Sequence, residues 1–463
     1  MENRYARLAQ IHLNNVKNVI DGGVEFESIK SFNPYDKKKN SSVFAIYGSN
    51  ASGKTTMVES ISVAHDLMIG NKVGDMANGF ITQWKKESRC NFVFIVEGAS
   101  DEYYLAEYAF SFIKNDQVDR PVVLSSESLS VKKGTFLKTK MSWKKYIADI
   151  SVDYINSKNI VEGSTYGGYF ANSSKLGEAK TLCKNDLKSF LFSKEFMDCL
   201  SSKKSKAKNI LGLKKSLKML NDYAKFDLFV FSNDDTSISY LNGLIICDRQ
   251  EKENGLAAGK IYVDIEETAR LTENEFDVLN SCLNSINNVL PSIVSDLRIE
   301  HSSRGEELAA DGKTVLKKVD LFSVRGKERP IPLKYESAGI KKIVAICGVL
   351  INVYNNQSVA LIVDELDSGV FEYLLGLIVR VFDHHAKGQI IFTAHNSRAL
   401  ELLPTKQVIF TSTNPNNRFI KMKKVKPTNN FRDFYYRAIL LGGQDEELSP
   451  ETSEAKIARA FSK

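Results

Sequence analysis

The chain has few features of metal-bound, disulfide-linked or membrane-spanning proteins. Its six cysteines show no C-x-x-C spacing and its six histidines form no cluster, so neither a zinc site nor a disulfide framework is indicated. No apolar run reaches the roughly 18 residues of a membrane span. The longest, Ile343 to Val353, is interrupted by Gly348 and Asn352. Met1-Glu2-Asn3-Arg4 lacks the apolar core of a signal peptide, so we expect no membrane and a cytoplasmic location.

The composition is that of a globular protein with more than one domain. A length of 463 residues exceeds one ordinary core and predicts two or three domains. Hydrophobic content of 43% and charged content of 26% fit this class. The net charge of +7 allows contact with nucleic acid but does not require it.

A phosphate-binding pattern lies near the N-terminus. Gly48 to Thr55 reads G-x-x-x-x-G-K-T, between the apolar run Val43 to Tyr47 and a segment with helical periodicity. Backbone N–H groups of such a loop surround the β-phosphate, the lysine reaches the β- and γ-phosphates, and the threonine hydroxyl binds Mg²⁺. The predicted nucleotide-binding residues are Gly48, Asn50, Gly53, Lys54, Thr55 and Thr56, with Thr55 also a magnesium ligand and Lys54 also catalytic.

Two carboxylates follow a second apolar strand, Ala360 to Val363. Asp364 is predicted to hold Mg²⁺, and Glu365 to orient or deprotonate the attacking water. Asp367 continues the same loop. His395 ends a later strand, 31 residues after Asp364, where it can contact the γ-phosphate.

A helix start lies 27 residues before Asp364. Ser337 is its predicted N-cap, and Gly339 allows close approach of another backbone. The alternative is a simple capped helix.

Together, these motifs and their order resemble the ATPase fold shared by ATP-binding-cassette, SMC and Rad50 proteins. The resemblance implies an α/β P-loop ATPase head, here with a large, mainly helical insertion. The opening Ile11 to Asn18 is similar to the first strand of that fold, with Val16 replacing the aromatic of its N-F-K motif. The resemblance therefore implies that Lys17 approaches the nucleotide. Gln83 is a weak match to the expected Q-loop glutamine.

We expect three regions. Residues 1–135 form an N-terminal ATPase lobe, 136–300 a mainly helical insertion for oligomerisation or partner binding, and 301–463 a C-terminal ATPase lobe. Cys90 to Glu97 is predicted to form a hairpin with Tyr103 to Phe112. A strand-like segment, Phe226 to Phe231, interrupts the region from about 140 to 300, which is otherwise predicted to be largely helical.

The family resemblance also implies partners and cofactors. ATP and Mg²⁺ are the expected cofactors. Heads of this type hydrolyse ATP as head-to-tail dimers, so Ser337 and Gly339 of one subunit would contact the nucleotide held by Lys54 of another. A homodimer, or a higher homo-oligomer built from such dimers, is therefore expected.

A finer resemblance is to bacterial OLD-like and abortive-infection ATPases. The tail, with Asn430 to Tyr435 and Leu440 to Gln444, looks most like the ATPase subunit of the PARIS and AbiL phage-defence systems. This resemblance implies a sensor and scaffold that controls a toxic nuclease and responds to a phage protein. Only 68 residues follow His395, too few for a TOPRIM nuclease domain, so the effector nuclease is expected in trans.

Several alternatives remain open. Ile95 to Asp101 superficially matches a TOPRIM opening, with Glu97 as its acid and Asp234-Asp235 as a second acidic pair, although a β-hairpin turn fits better. An SMC- or RecF-like DNA-repair or chromosome-maintenance ATPase is the second functional hypothesis, and a transporter subunit the third.

Three polar or charged segments also have two interpretations each. A polar loop is favoured over metal ligands for Asp383-His384-His385. Two lysine-rich runs are either solvated faces or sites for an acidic partner, such as DNA or a DNA-mimicking phage protein: Lys203, Lys204, Lys206, Lys208, Lys214, Lys215 and Lys218, then Lys421, Lys423, Lys424 and Lys426.

Overall fold

The strands fall into two large sheets and two smaller ones. In this computed structural model, the described residues are 5–30, 32–33, 43–97, 102–115, 121–137, 140–163, 170, 173–202, 208–232, 243–249, 259–423, 430–441, 444–449 and 454–462. Asp234-Asp235 and five of the lysines named above (Lys203, Lys204, Lys206, Lys424 and Lys426) lie outside them. The predictions on those residues therefore stay predictions.

The strands are named in chain order. They are β1 (Ala6–Val16), β2 (Val19–Glu25), β3 (Val43–Tyr47), β4 (Glu87–Glu97), β5 (Glu102–Lys114), β6 (Val122–Leu137), β7 (Lys140–Asp153), β8 (Leu228–Phe231), β9 (Leu244–Arg249), β10 (Gly259–Asp264), β11 (Ala269–Leu271), β12 (Leu297–Leu308), β13 (Val315–Arg325), β14 (Ile331–Pro332), β15 (Ala360–Val363), β16 (Gln389–Thr393), β17 (Val408–Thr411) and β18 (Phe419–Ile420).

The α-helices are named in the same way. They are α1 (Lys54–Ile69), α2 (Ser174–Asn185), α3 (Lys194–Ser202), α4 (Lys208–Asp222), α5 (Glu273–Ile293), α6 (Ala338–Asn355), α7 (Glu372–His385), α8 (Arg398–Leu402), α9 (Phe431–Leu441) and α10 (Glu454–Phe461).

The central sheet has the order β18-β17-β3-β16-β15-β8, and its strands from β17 to β8 are parallel. Strands β3, β15, β16 and β17 are buried along their whole length, which explains why they appear in the sequence as continuous apolar runs. Parallel strands place their carboxyl ends at one edge. The loops that follow β3, β15 and β16 therefore lie together at that edge.

The middle of the chain contributes directly to this sheet. The strand-like segment predicted at Phe226 to Phe231 forms β8, and Leu228 to Phe231 pair in parallel with Ala360 to Val363 of β15. The strand that carries the acidic motif thus has a neighbour on each side. Helices α2 to α4 lie ahead of β8, in the region predicted to be helical.

An antiparallel sheet of order β2-β1-β4-β5-β6-β7 forms the N-terminal layer. The predicted β4–β5 hairpin is present, with Cys90 opposite Phe110 and Glu97 opposite Tyr103. The boundary expected at residue 135 falls inside β6. Residues 140–153, where the helical region was expected to start, instead form β7 and extend the sheet to Asp153. Their antiparallel pairing with the preceding strand, β6, was not indicated by the local helical pattern.

Helix α1 packs between the two large sheets. Its apolar residues Met57, Val58 and Ile61 belong to one continuous core with residues of β1, β4 and β3. Among the described helices, α6 is the one long and apolar enough to cross a membrane, but 56% of its apolar window is buried inside the protein. Length and composition therefore do not distinguish α6 from an ordinary core helix.

Candidate nucleotide-binding site

The loop between β3 and α1 is held in a tight curve by glycines. Gly53, the N-cap of α1, has φ +98°, a left-handed conformation that glycine adopts without steric cost. Gly48 lies so close to Thr411 that a Cβ at this position would be 1.7 Å from the threonine Oγ1. Only glycine fits there, and the resulting cradle of backbone N–H groups at a helix N-terminus fits a polyphosphate.

Side chains within the loop complete the cradle. The Lys54 ammonium donates to the carbonyl oxygens of Gly48 and Ser49, each at 2.9 Å. Lys54 is 6% exposed, and burial lowers its pKa while nearby carboxylates oppose that shift. Ser52 Oγ donates to the Ser49 carbonyl at 2.6 Å and lies 2.5 Å from Thr411 Oγ1. The Lys54 side chain thus already contacts the loop that would bind the phosphates.

The predicted magnesium ligands meet in the structure. Thr55 Oγ1 donates to Asp364 Oδ2 at 2.9 Å, although 309 residues separate them. Thr393 Oγ1 donates to the other carboxylate oxygen of Asp364, which is only 1% exposed. A hydroxyl and a carboxylate are oxygen donors of the kind Mg²⁺ binds together with nucleotide phosphates and water. The described residues contain no cluster of three or more His, Cys, Asp or Glu that could form an all-protein metal site.

Glu365 and His395 face each other across this edge. His395 Nε2 lies 3.8 Å from Glu365 Oε1, and the two side chains are 45% and 38% exposed. Glu365 has φ +48°, an unfavourable backbone conformation for a residue with a Cβ. Its N–H donates to Thr393 Oγ1 at 2.7 Å, which helps to hold that conformation. A carboxylate in this open position can accept a proton from water, and the role of Glu365 as general base stays a prediction.

Asp367 links the loops that follow β15 and β16. Its Oδ2 accepts from the backbone N–H groups of His395, at 2.8 Å, and Asn396, at 2.5 Å. Its Oδ1 is buried and has no hydrogen-bond partner among the described residues. The position of His395 therefore depends on Asp367, and the predicted nucleotide contact of Asp367 stays a prediction.

The start of α6 packs against the same loop. Ser337 is the N-cap, as predicted, and its side chain accepts from Ile340 N–H at 3.3 Å while remaining exposed. Gly339 is buried against Gly369, where a Cβ would lie 1.9 Å from the glycine carbonyl oxygen. The close backbone approach expected of Gly339 is therefore made within its own subunit. Nucleotide contact by Ser337 and Gly339 stays a prediction.

Lys342 strengthens this packing and was not among the predicted site residues. Its ammonium donates to the carbonyl oxygens of Glu365, at 2.5 Å, and Ser368, at 3.1 Å. Lys342 is 3% exposed, and burial lowers its pKa to about 8 against the opposing effect of nearby aspartate and glutamate side chains. One side chain of α6 thus holds the loop carrying the proposed general base.

Lys17 forms an ion pair with a side chain of α1. Its ammonium forms an ion pair with Glu59, with N–O distances of 2.6 and 2.5 Å. Its predicted approach to the nucleotide stays a prediction. Its neighbour Asn18 instead contacts the loop: Asn18 Nδ2 donates to Ala51 O, and Thr56 Oγ1 donates to Asn18 Oδ1 at 3.1 Å. Gln83 lies in an exposed turn, where its backbone carbonyl accepts from Lys114.

The arrangement fits binding and hydrolysis of a nucleoside triphosphate. Bound Mg²⁺ and ATP would supply the phosphoanhydride bond and the charge-neutralising cation. The loop N–H groups and Lys54 would bind the phosphates, and Thr55 and Asp364 the magnesium. Glu365 would take a proton from the attacking water, with His395 placed beside it.

Comparisons with known proteins agree with the P-loop chemistry. A family model described as an AAA domain matches residues 10–254, slightly more than half of the chain. No curated protein matches the chain.

The similar solved structures include SMC heads and a recombination mediator. An SMC head bound to the C-terminal winged-helix domain of ScpA is 9% identical, with 90% of this chain and 98% of that chain covered and a TM-score of 0.37. The SMC head domain from Thermotoga maritima is 12% identical, with 90% and 99% covered and a TM-score of 0.36. The recombination mediator RecF with ATP is 14% identical, with 85% and 94% covered and a TM-score of 0.34.

Proposed function

Because this chain belongs to the AAA-domain family and is a P-loop ATPase, we propose that ATP drives its head-to-tail assembly into a homodimer or higher homo-oligomer. The observation that carries this proposal is the exposed Ser337 at the N-terminus of α6, beside the loop that holds Glu365. In the assembly, the Ser337 hydroxyl and the first N–H groups of α6 in one subunit would meet the γ-phosphate held by Lys54 of the other. The partly open Glu365 and His395 would then be covered.

The experiment compares E365Q with K54A by light scattering and ATP turnover. E365Q removes the proposed proton acceptor but keeps the phosphate cradle. It should bind ATP, lose most hydrolysis and accumulate as an ATP-bound dimer or larger species. K54A should bind ATP far more weakly and stay at the size of the nucleotide-free protein. Normal turnover by E365Q, or ATP affinity unchanged in K54A, would contradict the assigned roles.

We propose further that the assembly serves as the sensor and scaffold of an anti-phage, abortive-infection system in the cytoplasm. Support comes from the motif order and tail, which resemble the ATPase subunits of PARIS and AbiL systems. In such a role the protein would hold a toxic TOPRIM-type nuclease until an acidic or DNA-mimicking phage protein is detected. In the described residues, Glu97 ends a strand paired with β5, whereas a TOPRIM opening leads from a strand into a helix. This pairing favours a nuclease supplied in trans.

A test of the defence role starts from the neighbouring gene. If it encodes a TOPRIM nuclease, co-expression should yield a complex that dissociates, and cells that stop growing, on phage infection. E365Q should change the extent or timing of complex dissociation and growth arrest, whereas K54A should abolish both. A neighbouring permease, or protection that persists in K54A, would argue against the role.

A second candidate function is that of an SMC- or RecF-like DNA-repair or chromosome-maintenance ATPase. One observation favours it: the sequence from Ser128 to Ala148 has six lysines and no aspartate or glutamate, and five of these lysines are on β6 or β7. Trp143 anchors this hairpin, because its ring covers Gly134 and its Nε1 donates to the Ile29 carbonyl at 3.0 Å. Such a run of positive charge suits a phosphate backbone.

DNA binding by the hairpin can be separated from the defence role. A K140Q/K144Q/K145Q variant should bind duplex DNA more weakly, with a smaller salt dependence, if this candidate is correct. A K214Q/K215Q/K218Q variant removes three charges from α4 and tests the other lysine-rich run in the same assay. Strong binding that raises ATP turnover in the wild type would favour the DNA role. The absence of any salt-dependent DNA binding would exclude the DNA role.

A further inference from the structure

A buried arginine lies beside the P-loop. Arg418 precedes β18 and is 8% exposed. Its Nη1 donates to the Ser412 carbonyl at 2.6 Å, and its Nη2 donates to the Asn18 carbonyl at 2.7 Å. Its Nε is buried without a hydrogen-bond acceptor, and no carboxylate among the described residues forms an ion pair with its guanidinium. Burial lowers the pKa of this arginine.

The arginine is joined to the middle of the loop and to the first turn of α1 through one residue. Asn18, whose carbonyl it binds, contacts the Ala51 carbonyl through Nδ2 and the Thr56 hydroxyl through Oδ1. A Cβ at Gly53 would lie 3.2 Å from Asn18 Oδ1 and 3.5 Å from Arg418 Cγ. Arg418 and Asn18 therefore pack directly against the phosphate-binding turn.

This arrangement is costly for the protein alone. An arginine stays protonated, and a buried cation bonded only to neutral carbonyls loses its hydration without gaining an ion pair. A nearby anion reduces that cost, and the polyphosphate is the anion that this loop is shaped to bind.

We propose that Arg418 is a positioning residue of the nucleotide site. Through Asn18 it holds the P-loop in its phosphate-binding shape, and its uncompensated charge favours a polyphosphate over an empty loop. The proposal depends on ATP binding at the P-loop and is independent of any nuclease or phage partner.

The experiment measures ATP affinity by calorimetry and the melting temperature without nucleotide. R418M removes the charge but keeps most of the apolar stem. It should weaken ATP binding by about tenfold or more, while the melting temperature without nucleotide stays the same or rises. R418K keeps the charge and should bind ATP within about threefold of the wild type. R270M is the matched control, because Arg270 is exposed and pairs with Glu307 away from the site.

Three results would overturn the proposal. One is ATP affinity in R418M within about twofold of the wild type. Another is an equal loss of affinity in R418K and R418M, since the charge would then play no part. The third is a loss in R418M that only accompanies a lower melting temperature without nucleotide. If R418M does not fold, R418Q replaces it under the same criteria.

Asn18 provides a separate test of the contacts that join Arg418 to the P-loop. N18A should also weaken ATP binding, and the loss in N18A/R418M should exceed either single loss but stay below their sum, because both changes break one chain of contacts while only R418M removes the charge. Fully additive losses would contradict the shared role.

Discussion

The ammonium of Lys342 donates to the carbonyl oxygen of Glu365 at 2.5 Å, so a helix starting at the exposed Ser337 cap holds the backbone of the proposed general base. Any displacement of α6 on assembly would therefore act on Glu365 through this side chain. The contact connects the surface proposed to meet another subunit with the residue proposed to activate water.

Replacing Lys342 by methionine should separate hydrolysis from binding. Without the ammonium, the Glu365 and Ser368 carbonyls lose their donor, and the loop between β15 and α7 should become less ordered. We expect ATP turnover to fall by about tenfold or more while ATP affinity stays near that of the wild type. K341M is the control, since Lys341 pairs with the exposed Glu266 instead. Equal turnover in K342M and K341M would show that the Lys342 contact is not needed.

Lys342 should also make stability depend on pH. Its pKa is about 8 in the folded protein and 10.5 for an ordinary lysine side chain in water, so the unfolded chain binds more protons between these values. The free energy of unfolding should therefore rise with pH from about 8 to about 10.5, by up to about 3 kcal/mol. Urea unfolding at several pH values in this window would measure the rise. K342M should have a flatter profile, and parallel profiles would contradict the assignment.

Replacing Gly339 by alanine should push α6 away from the loop at Gly369. The added Cβ would lie 1.9 Å from a backbone oxygen, which cannot move independently of the loop. Hydrolysis should fall, with ATP binding at the P-loop largely retained. G177A is the matched control, because a Cβ at Gly177 in α2 meets nothing within 4 Å. It should raise the free energy of unfolding by about 0.5 to 1 kcal/mol and leave turnover unchanged.

Thr393 should be needed for productive magnesium binding. Valine at this position keeps the shape but removes the hydroxyl that bonds Asp364 and the Glu365 N–H. Loss of such a supporting hydrogen bond typically costs 10- to 100-fold in metal affinity or activity, so T393V should need more Mg²⁺ for half-maximal ATP turnover. T393S should restore most of the activity. An unchanged magnesium dependence in T393V would exclude this role.

The sequence indicated the parts of the site that are local patterns. Gly48 to Thr55 and Ala360 to Glu365 are continuous motifs, and the chemistry of their residue types is independent of distant contacts. Lys342, Thr393 and Arg418 were not predicted as site residues because their roles depend on contacts 23, 29 and 400 residues away along the chain. Even Lys342, which lies only five residues after the predicted N-cap Ser337, gave no sign of which backbone it would bind.

The same limit explains the differences in the fold. Residues 140–153 form a strand because β6 is available as a partner, and a partner cannot be read from local periodicity. Lys17 was identified by its place in a motif, but the motif did not indicate that Glu59 would pair with it. Contacts with a partner outside each segment therefore account for both.

The order of strands in the central sheet also constrains how the protein is made. Strand β3, which leads into the P-loop, lies between β16 and β17, so its neighbours in the sheet are synthesised more than 300 residues later. At translation rates of about 5 to 20 residues per second, β3 waits on the order of 20 to 70 seconds for them. During that time the nascent chain has an apolar segment without its sheet partners and no formed ATP site. A ribosome that stalls before residue 389 should therefore release a chain that cannot bind ATP and is prone to aggregate.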